Sequence, residues 1–328
     1  MLDRDQLETF ATVAEQQSFE KAATALHLSR GAVSQRIKVL EESLACVLLL
    51  RDKPVTPTSS GQVLLRHVKM LRLLERAALE ELGPPGAPGT PVPLAIAVNA
   101  DSLATWFAAV LQELLPQRGL ALEVISDDQD HTSARLLRGE VMGCVSTEAR
   151  AAGGCVAEPL GAMVYRCYAA PGFIQECFAK GLTLQAVLKA PAVLFNRKDA
   201  LHDDFLQRVF GMRVDNYPRH YLPSPAALLE GIVMRAGYGL VPESQGEPLV
   251  REGRLIEMAR PQAVPVNLYW HHWALEAPQV AALSTHVVAV ARRLLGDLPS
   301  PPLPRRRRSG PRHDVALRHT DAAALAPA

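Results

Sequence analysis

The 328-residue sequence predicts an α/β protein: an N-terminal winged helix-turn-helix, a long linker helix and a two-lobed α/β domain behind them. Three observations carry that prediction. Apolar residues recur at helical spacing in three short runs before residue 45. One long stretch free of Pro and Gly follows Gly61 and ends in a Pro/Gly run. From residue 94 onward, short β-branched runs alternate with helical ones, as in α/β units.

Leu7, Phe10, Ala11 and Ala14 define the first helix, and Phe19, Ala22, Ala23 and Leu26 the second. Ser18 stands where the second helix needs an N-cap, and Ser29 where the third does, ahead of Val33, Ile37, Leu40 and Leu44. Opposite that apolar face lie Gly31, Gln35 and Lys38, with Arg30, Ser34 and Arg36 on the flanks. Donors and positive charge on the N-terminal half of such a helix suit base edges and phosphates in a major groove. Residues 47–50 and 55–58, separated by Asp52-Lys53-Pro54, read as an edge hairpin or wing, which closes a domain over residues 1–62.

The linker helix spans 58–82, and its Leu64, Val68 and Leu71, continued by Ala78 and Leu82, approximate a heptad stripe for dimerisation. Residues 83–93 are a Pro/Gly hinge. Strands at 94–98, 120–125 and 142–146 with helices at 102–115 and 132–138 form a parallel βαβαβ run. A second run has extended segments at 163–169, 192–196 and 239–241 and helices at 199–210 and 226–236; a strand at 265–270 and a helix at 278–295 complete it. The expected lobes are 94–161 with 266–296, and 162–265, and ligands bind where such lobes meet. The Pro-, Arg- and Ala-rich residues 297–328 are expected to be a disordered tail, with Arg305–Arg308 a solvated charge block or extra affinity for DNA.

The net charge of +1 conceals its distribution: residues 30–72 carry eight basic and three acidic side chains, whereas residues 1–29 carry two basic and five acidic. No apolar stretch reaches membrane-spanning length, no signal peptide is evident, and five scattered cysteines point to reduced thiols in the cytoplasm. There is no G-x-S-x-G, H-E-x-x-H or P-loop, so neither a catalytic group nor a cofactor is predicted. His271 and His272 adjoin on a strand, point to opposite faces and cannot share a metal, so no metal site is predicted either.

The string Ser18-Phe19-x-x-Ala22-Ala23-x-x-Leu26, then Ala32-Val33-Ser34-Gln35-Arg36-Ile37, Leu40-Glu41, Arg51, Pro57-Thr58 and Gly61 resembles the DNA-binding half of LysR-type transcriptional regulators. In the second half, Asn99–Trp106, Arg138–Val141, Lys189–Pro191 and Leu268–His271 resemble the ArgP/LysG branch, whose members respond to lysine and arginine and control export of basic amino acids. The resemblance implies a periplasmic-binding-protein-like effector domain, double-stranded DNA as partner and a homodimer or homotetramer, with RNA polymerase a further candidate partner. It places base reading at Arg30, Gly31, Ser34 and Gln35 and phosphate contacts at Arg36, Lys38, Arg51 and Thr58, with Ser29 and Lys53 in the same DNA-facing set. Arg30 and Gly31 depart from the usual Gln followed by Ser or Pro, and the glycine costs the helix about 1 kcal/mol.

A basic amino acid offers a carboxylate and two cations. The carboxylate suits the backbone N–H groups at Asp101-Ser102-Leu103, and the cations suit acidic strand ends: Asp101, Asp127, Asp128, Asp199 and Glu243. Ser146 and Asn196 sit at comparable strand ends and offer neutral hydrogen bonds. Arg197 and Lys198 run against this charge pattern, and Asp101 as a plain helix cap is the bland alternative. The rival readings are a different small-molecule effector and an effector-independent replication or architecture factor.

Overall fold

The computed structural model describes residues 2–82, 92–116, 120–126 and 129–297. The expected hinge, apart from residues 92 and 93, lies outside the described residues, as do Asp127, Asp128 and the tail beyond residue 297.

In the head, α1 (Arg4–Gln16), α2 (Phe19–Ala25) and α3 (Arg30–Leu44) form the helix-turn-helix bundle. Each start is capped: Asp3 accepts from the Gln6 N–H, Ser18 from Lys21 and Ser29 from Ala32. These caps satisfy donors that a helix leaves orphaned in its first turn. The predicted apolar faces converge, with Phe10, Val13, Ala22, Val33, Ile37 and Leu40 fully buried together. The wing is a short antiparallel pair, β1 (Leu49–Leu50) with β2 (Thr56–Pro57), and α4 (Ser59–Leu82) follows directly. Gly61 touches the wing so closely that any side chain would collide with the Leu48 carbonyl.

The linker helix corrects one expectation. Val68 is completely buried within the head's own core, and Leu64 and Leu71 pack against that core, so this part of the stripe is covered within one chain. The reason is that α4 packs against α1 and the wing on one side and sends Met70 and Leu73 into the second domain's core on another. The outward stripe is instead Val63, His67, Leu74, Ala78 and Leu82, at steps of four and seven, with Val63 56%, Leu74 39% and Leu82 84% exposed.

The second half is built on one nine-stranded mixed sheet. Its first lobe has β3 (Val92–Val98) parallel to both β4 (Leu120–Ser126) and β5 (Gly143–Ser146), with α5 (Ala100–Ala104), α6 (Phe107–Leu114) and α7 (Gln129–Leu137) between them. β6 (Cys155–Ala169) then crosses into the second lobe. That lobe holds α8 (Pro171–Cys177), α9 (Leu184–Val187), β7 (Ala192–Leu194), α10 (Leu201–Phe210), β8 (Arg219–Tyr221), α11 (Pro225–Val233), β9 (Tyr238–Pro242), α12 (Glu243–Arg251) and β10 (Ile256–Glu257). β11 (Val264–Trp273) returns antiparallel to β6, and α13 (Pro278–Leu294) closes on the first lobe. The crossing pair shifts register between Leu268 and Tyr269, opposite Gly161, whose φ of 139° is reserved for glycine.

The helix expected over 102–115 is two helices. Thr105 bonds its hydroxyl back to the Asp101 carbonyl at 2.6 Å, and the chain leaves helical geometry there before α6 begins. β6 starts eight residues earlier than the expected 163, and it accommodates Pro159 and Gly161 at the register shift against β11.

Candidate DNA-binding face and interlobe site

The caps set how α3 presents its surface. Gly31, Gln35 and Lys38 are exposed, Ser34 is half-buried, and Arg30 extends from the first turn. Arg30 meets Glu20 of α2 at 3.1 Å, and Lys38 reaches Glu42 at 3.7 Å. In the wing, Lys53 is exposed, while Arg51 lies over the Phe19 ring at 5.9 Å and 3.6 Å from Glu41. Glu20 is held below the ordinary carboxylate range by its backbone hydrogen bond, and Arg30, Ser18 and Lys53 add to the effect. These cations therefore already sit near anions on the surface, where exchange of a carboxylate for a phosphate costs little.

Three side chains of the predicted DNA set have other work. Ser29 spends its hydroxyl on the α3 cap. Arg36 turns back to α1, donating to Asp5 at 3.0 Å and Thr9 at 3.3 Å, and so pins the recognition helix rather than facing a phosphate. Thr58 donates to the Val47 carbonyl at 2.7 Å and accepts from the Gly61 N–H at 3.1 Å, joining the wing to the start of α4. Glu41, quoted in the family string without a role, accepts from the Leu48 and Leu49 N–H groups and fixes the wing against α3.

Between the lobes, the structure brings together Asp101, Asp199 and one residue not anticipated, Tyr165. Asp101 sits in the first turn of α5, and Tyr165 on β6 donates its hydroxyl to Asp101 at 2.6 Å. Asp199 follows β7 and is within electrostatic reach of both. Burial pushes the Asp101 carboxyl above its usual range; the Tyr165 bond opposes that, and the like charge of Asp199 reinforces it. Burial, with Asp101 as neighbour, also raises the Tyr165 phenol well above normal. Asp101 is not the cap of α5, whose N-cap position is Asn99; its side chain crosses to the strand that links the lobes.

Around it, Ser102 and Asn99 are buried, and neither the Ser102 Oγ nor the Asn99 Oδ1 finds a partner among the described residues. Unpaired buried acceptors at one place are unusual in a native fold. Asn196 accepts from the N–H groups of Lys198 and Asp199, and Asp199 from that of Leu201, so the loop after β7 is locally pinned. Ser146, buried at the end of β5, accepts from the Glu148 N–H. α11 packs against α5, and Gln245 donates to the Ala104 carbonyl, so both lobes contribute here.

Glu243 does not join this group. It pairs with Arg166 at 2.6 Å, and Arg166 also binds Glu257 at 2.9 Å. Arg166 follows Tyr165 on the same strand, so the two side chains leave opposite faces of the sheet. Glu243 is therefore neutralised away from Asp101. His271 meets the Glu148 carbonyl at 2.7 Å, whereas His272 lies between Glu158 and Glu276. Nothing in the local sequence pointed to Tyr165; only its position on β6, 64 residues from Asp101, reveals it.

A capped recognition helix with a wing, carried beside a bilobed α/β domain with a half-buried acidic pair between its lobes, defines a ligand-responsive DNA-binding regulator. Residues 4–62 match the family of bacterial regulatory helix-turn-helix proteins, lysR family, and residues 91–292 match the LysR substrate binding domain. The chain belongs to the LysR family of transcriptional regulators. It is 39% identical over 283 residues to the HTH-type transcriptional regulator ArgP of Photobacterium profundum, covering 86% of this chain and 95% of that protein. Among solved structures it resembles ArgP from Mycobacterium tuberculosis with a TM-score of 0.83 and 36% identity, over 90% of this chain and 100% of that one. Full-length LysG from Corynebacterium glutamicum with bound effector Arg gives a TM-score of 0.79 and 33% identity over the same shares. The resemblance read from the sequence is borne out in both halves. No helix among the described residues is long and apolar enough to cross a membrane.

Proposed function

We propose that this regulator senses a basic amino acid, L-arginine or L-lysine, and changes its hold on operator DNA when that ligand occupies the site between the lobes. The observation that carries this reading is Asp101, a half-buried carboxylate bonded to Tyr165, with a second carboxylate, Asp199, near enough to raise its pKa. A cation placed there relieves both desolvation and like-charge repulsion, and an acidic ligand would add to them. The similarity to LysG, whose solved structure holds Arg, supports the same class of effector.

DNA recognition rests on Arg30, Gly31, Ser34, Gln35 and Lys38 of α3, with Arg51 and Lys53 of the wing, acting where the chromosome is, in the cytoplasm. The active species is a homodimer, or a tetramer built from it, joined through the outward stripe Val63, His67, Leu74, Ala78 and Leu82 of α4. The regulated gene, on this reading, serves export of the same amino acid. Calorimetry of the full chain tests the effector: arginine or lysine binds, and glutamate and leucine do not. Tight glutamate binding would overturn the effector class. For the oligomer, Leu74→Asp with Leu82→Asp yields a smaller species in light scattering while the head stays folded; an unchanged mass would move the interface elsewhere.

A further inference from the structure

Three parts of the molecule meet on α4. Arg66 donates to the Leu137 carbonyl at 2.7 Å, and Lys69 to the Gly139 carbonyl at 2.5 Å. Those carbonyls close the C-terminal end of α7, where a helix leaves acceptors unpaired and its dipole is negative. One turn further along α4, Arg72 holds Glu8 at 2.6 Å and Glu15 at 2.9 Å, both on α1 of the head. Lys69 stands between the two groups: Glu15 of the head and Glu140 of the first lobe both act on its ammonium. Burial pushes that ammonium's pKa down, and the carboxylates of Glu15 and Glu140 oppose the shift.

The first half of α7 meets the C-terminal end of β5. Thr132, buried in its first half, donates to the Val145 carbonyl at 3.3 Å, next to Ser146. A single short helix therefore runs from the C-terminal end of β5 to the two cations of α4. Head and helix cannot slip past each other here, because Val68 lies in the head's core while Met70 and Leu73 lie in the core of the lobe.

We propose that Lys69, together with Arg66, is a positioning residue that ties the C-terminal end of α7 to the head, so that a shift of the first lobe is passed to the recognition helix. The trigger for that shift rests on the effector reading given above; the tie itself does not. Breaking the tie leaves base-reading residues untouched and loosens the grip of α7 on α4, while Met70 and Leu73 keep α4 seated on the lobe.

The test uses the full chain with Arg66→Met and Lys69→Met together, and Arg66→Lys as the conservative control. Spin labels at Thr24 of α2 and Gln112 of α6, in labelled protein diluted with unlabelled, report the head-to-lobe distance without ligand. Wild type and Arg66→Lys give one narrow distance, and the double variant a broad one; a distribution as narrow as wild type overturns the proposal. Operator affinity is then measured with and without L-arginine. The change that arginine causes in wild type shrinks in the double variant by roughly 2- to 30-fold, the usual span for residues that carry coupling. An undiminished arginine response also overturns it. A wild type indifferent to arginine would sink the effector assignment, and the distance measurement would still decide the tie. If the double variant melts early, Lys69→Met alone, which keeps an unbranched stem and removes the donor and the charge, carries the same two measurements.

Discussion

The head and the sensor half handle polar groups in opposite ways. On α3 and the wing the charged side chains are exposed and loosely paired, as Arg30 is with Glu20 and Lys38 with Glu42. Between the lobes the decisive groups are buried or half-buried: Asp101 bound to Tyr165, and Ser102 and Asn99 with acceptors unfilled among the described residues. A polyanion of fixed geometry is met by surface groups that exchange partners in water, and its attraction fades with salt. A half-buried carboxylate with a second one nearby favours a cation over an anion. The contrast shows why charge moved into the head, or out of the sensor, should have unequal effects.

The largest effect comes from forcing charge into the head. Val68→Asp places a carboxylate in a fully buried position and is expected to cost on the order of 4 kcal/mol or more, unfolding the head and abolishing operator binding. A circular-dichroism melt with the head transition intact would contradict the burial of Val68 within its own chain.

Acid should do to the sensor what that substitution does to the head. His202 is buried against Phe205, Tyr217 and Tyr238, with neither ring nitrogen paired among the described residues. Burial lowers its pKa from 6.5 to about 4. The unfolded chain thus takes up a proton below 6.5 that the folded lobe refuses until about 4. Stability is fully present above that window and is lost as pH falls through it, by roughly 3 kcal/mol at most. His202→Phe should flatten this part of the stability–pH curve; an unchanged slope would place the acid sensitivity elsewhere.

Asp101→Asn keeps the shape of the side chain and removes its charge. Affinity for arginine or lysine should fall by roughly 1.5–3 kcal/mol in calorimetry. The pKa of Asp101 is raised above 3.8 in the folded state, so ionising it opposes folding as pH rises through that range. The ligand-free variant should therefore be at least as stable as wild type at neutral pH, a result that a mere cap would not give.

The smallest effects lie on the exposed face of α3. Ser34→Ala and Gln35→Ala should each reduce discrimination between operator and random DNA by ~1–3 kcal/mol. Lys38→Ala should weaken both alike and flatten the salt dependence by about one unit of slope. Full discrimination in both of the first two variants would remove α3 from base reading.

What the sequence disclosed follows the range of the interactions. Ser18 and Ser29 cap helices that begin at the next residue, so their roles were readable from neighbours alone. The βαβαβ run was legible because period and punctuation are local. Arg36 was read as facing phosphate because its partner Asp5 lies 31 residues away, on another helix. Val68 had an apolar seam's spacing, and spacing does not say whether the seam meets a second chain or the helices before it. α12 was hidden by Gly246 and Pro248 inside it, both helix-disfavouring. Asp101 and Asp199, named by asking what a cation wants, do lie near one another, whereas Glu243, named by the same question, pairs with Arg166, and only the alternation of Tyr165 and Arg166 along β6 separates it from them.

The two strands that cross between the lobes, β6 and β11, stay hydrogen-bonded to each other along ten residues of β11, from Val264 to Trp273. Such a ribbon acts as a torsion bar: it resists opening like a book, because that would strip ladder bonds, but it yields to twist where its register already slips. Gly161 and the Leu268–Tyr269 step are that compliant point, close to Tyr165 on the same strand. Any rearrangement around a ligand is thereby channelled into rotation of one lobe about the ribbon. Amide exchange should follow, slow along β6 and β11 with ligand or without, and fastest at the single step where the bar can turn.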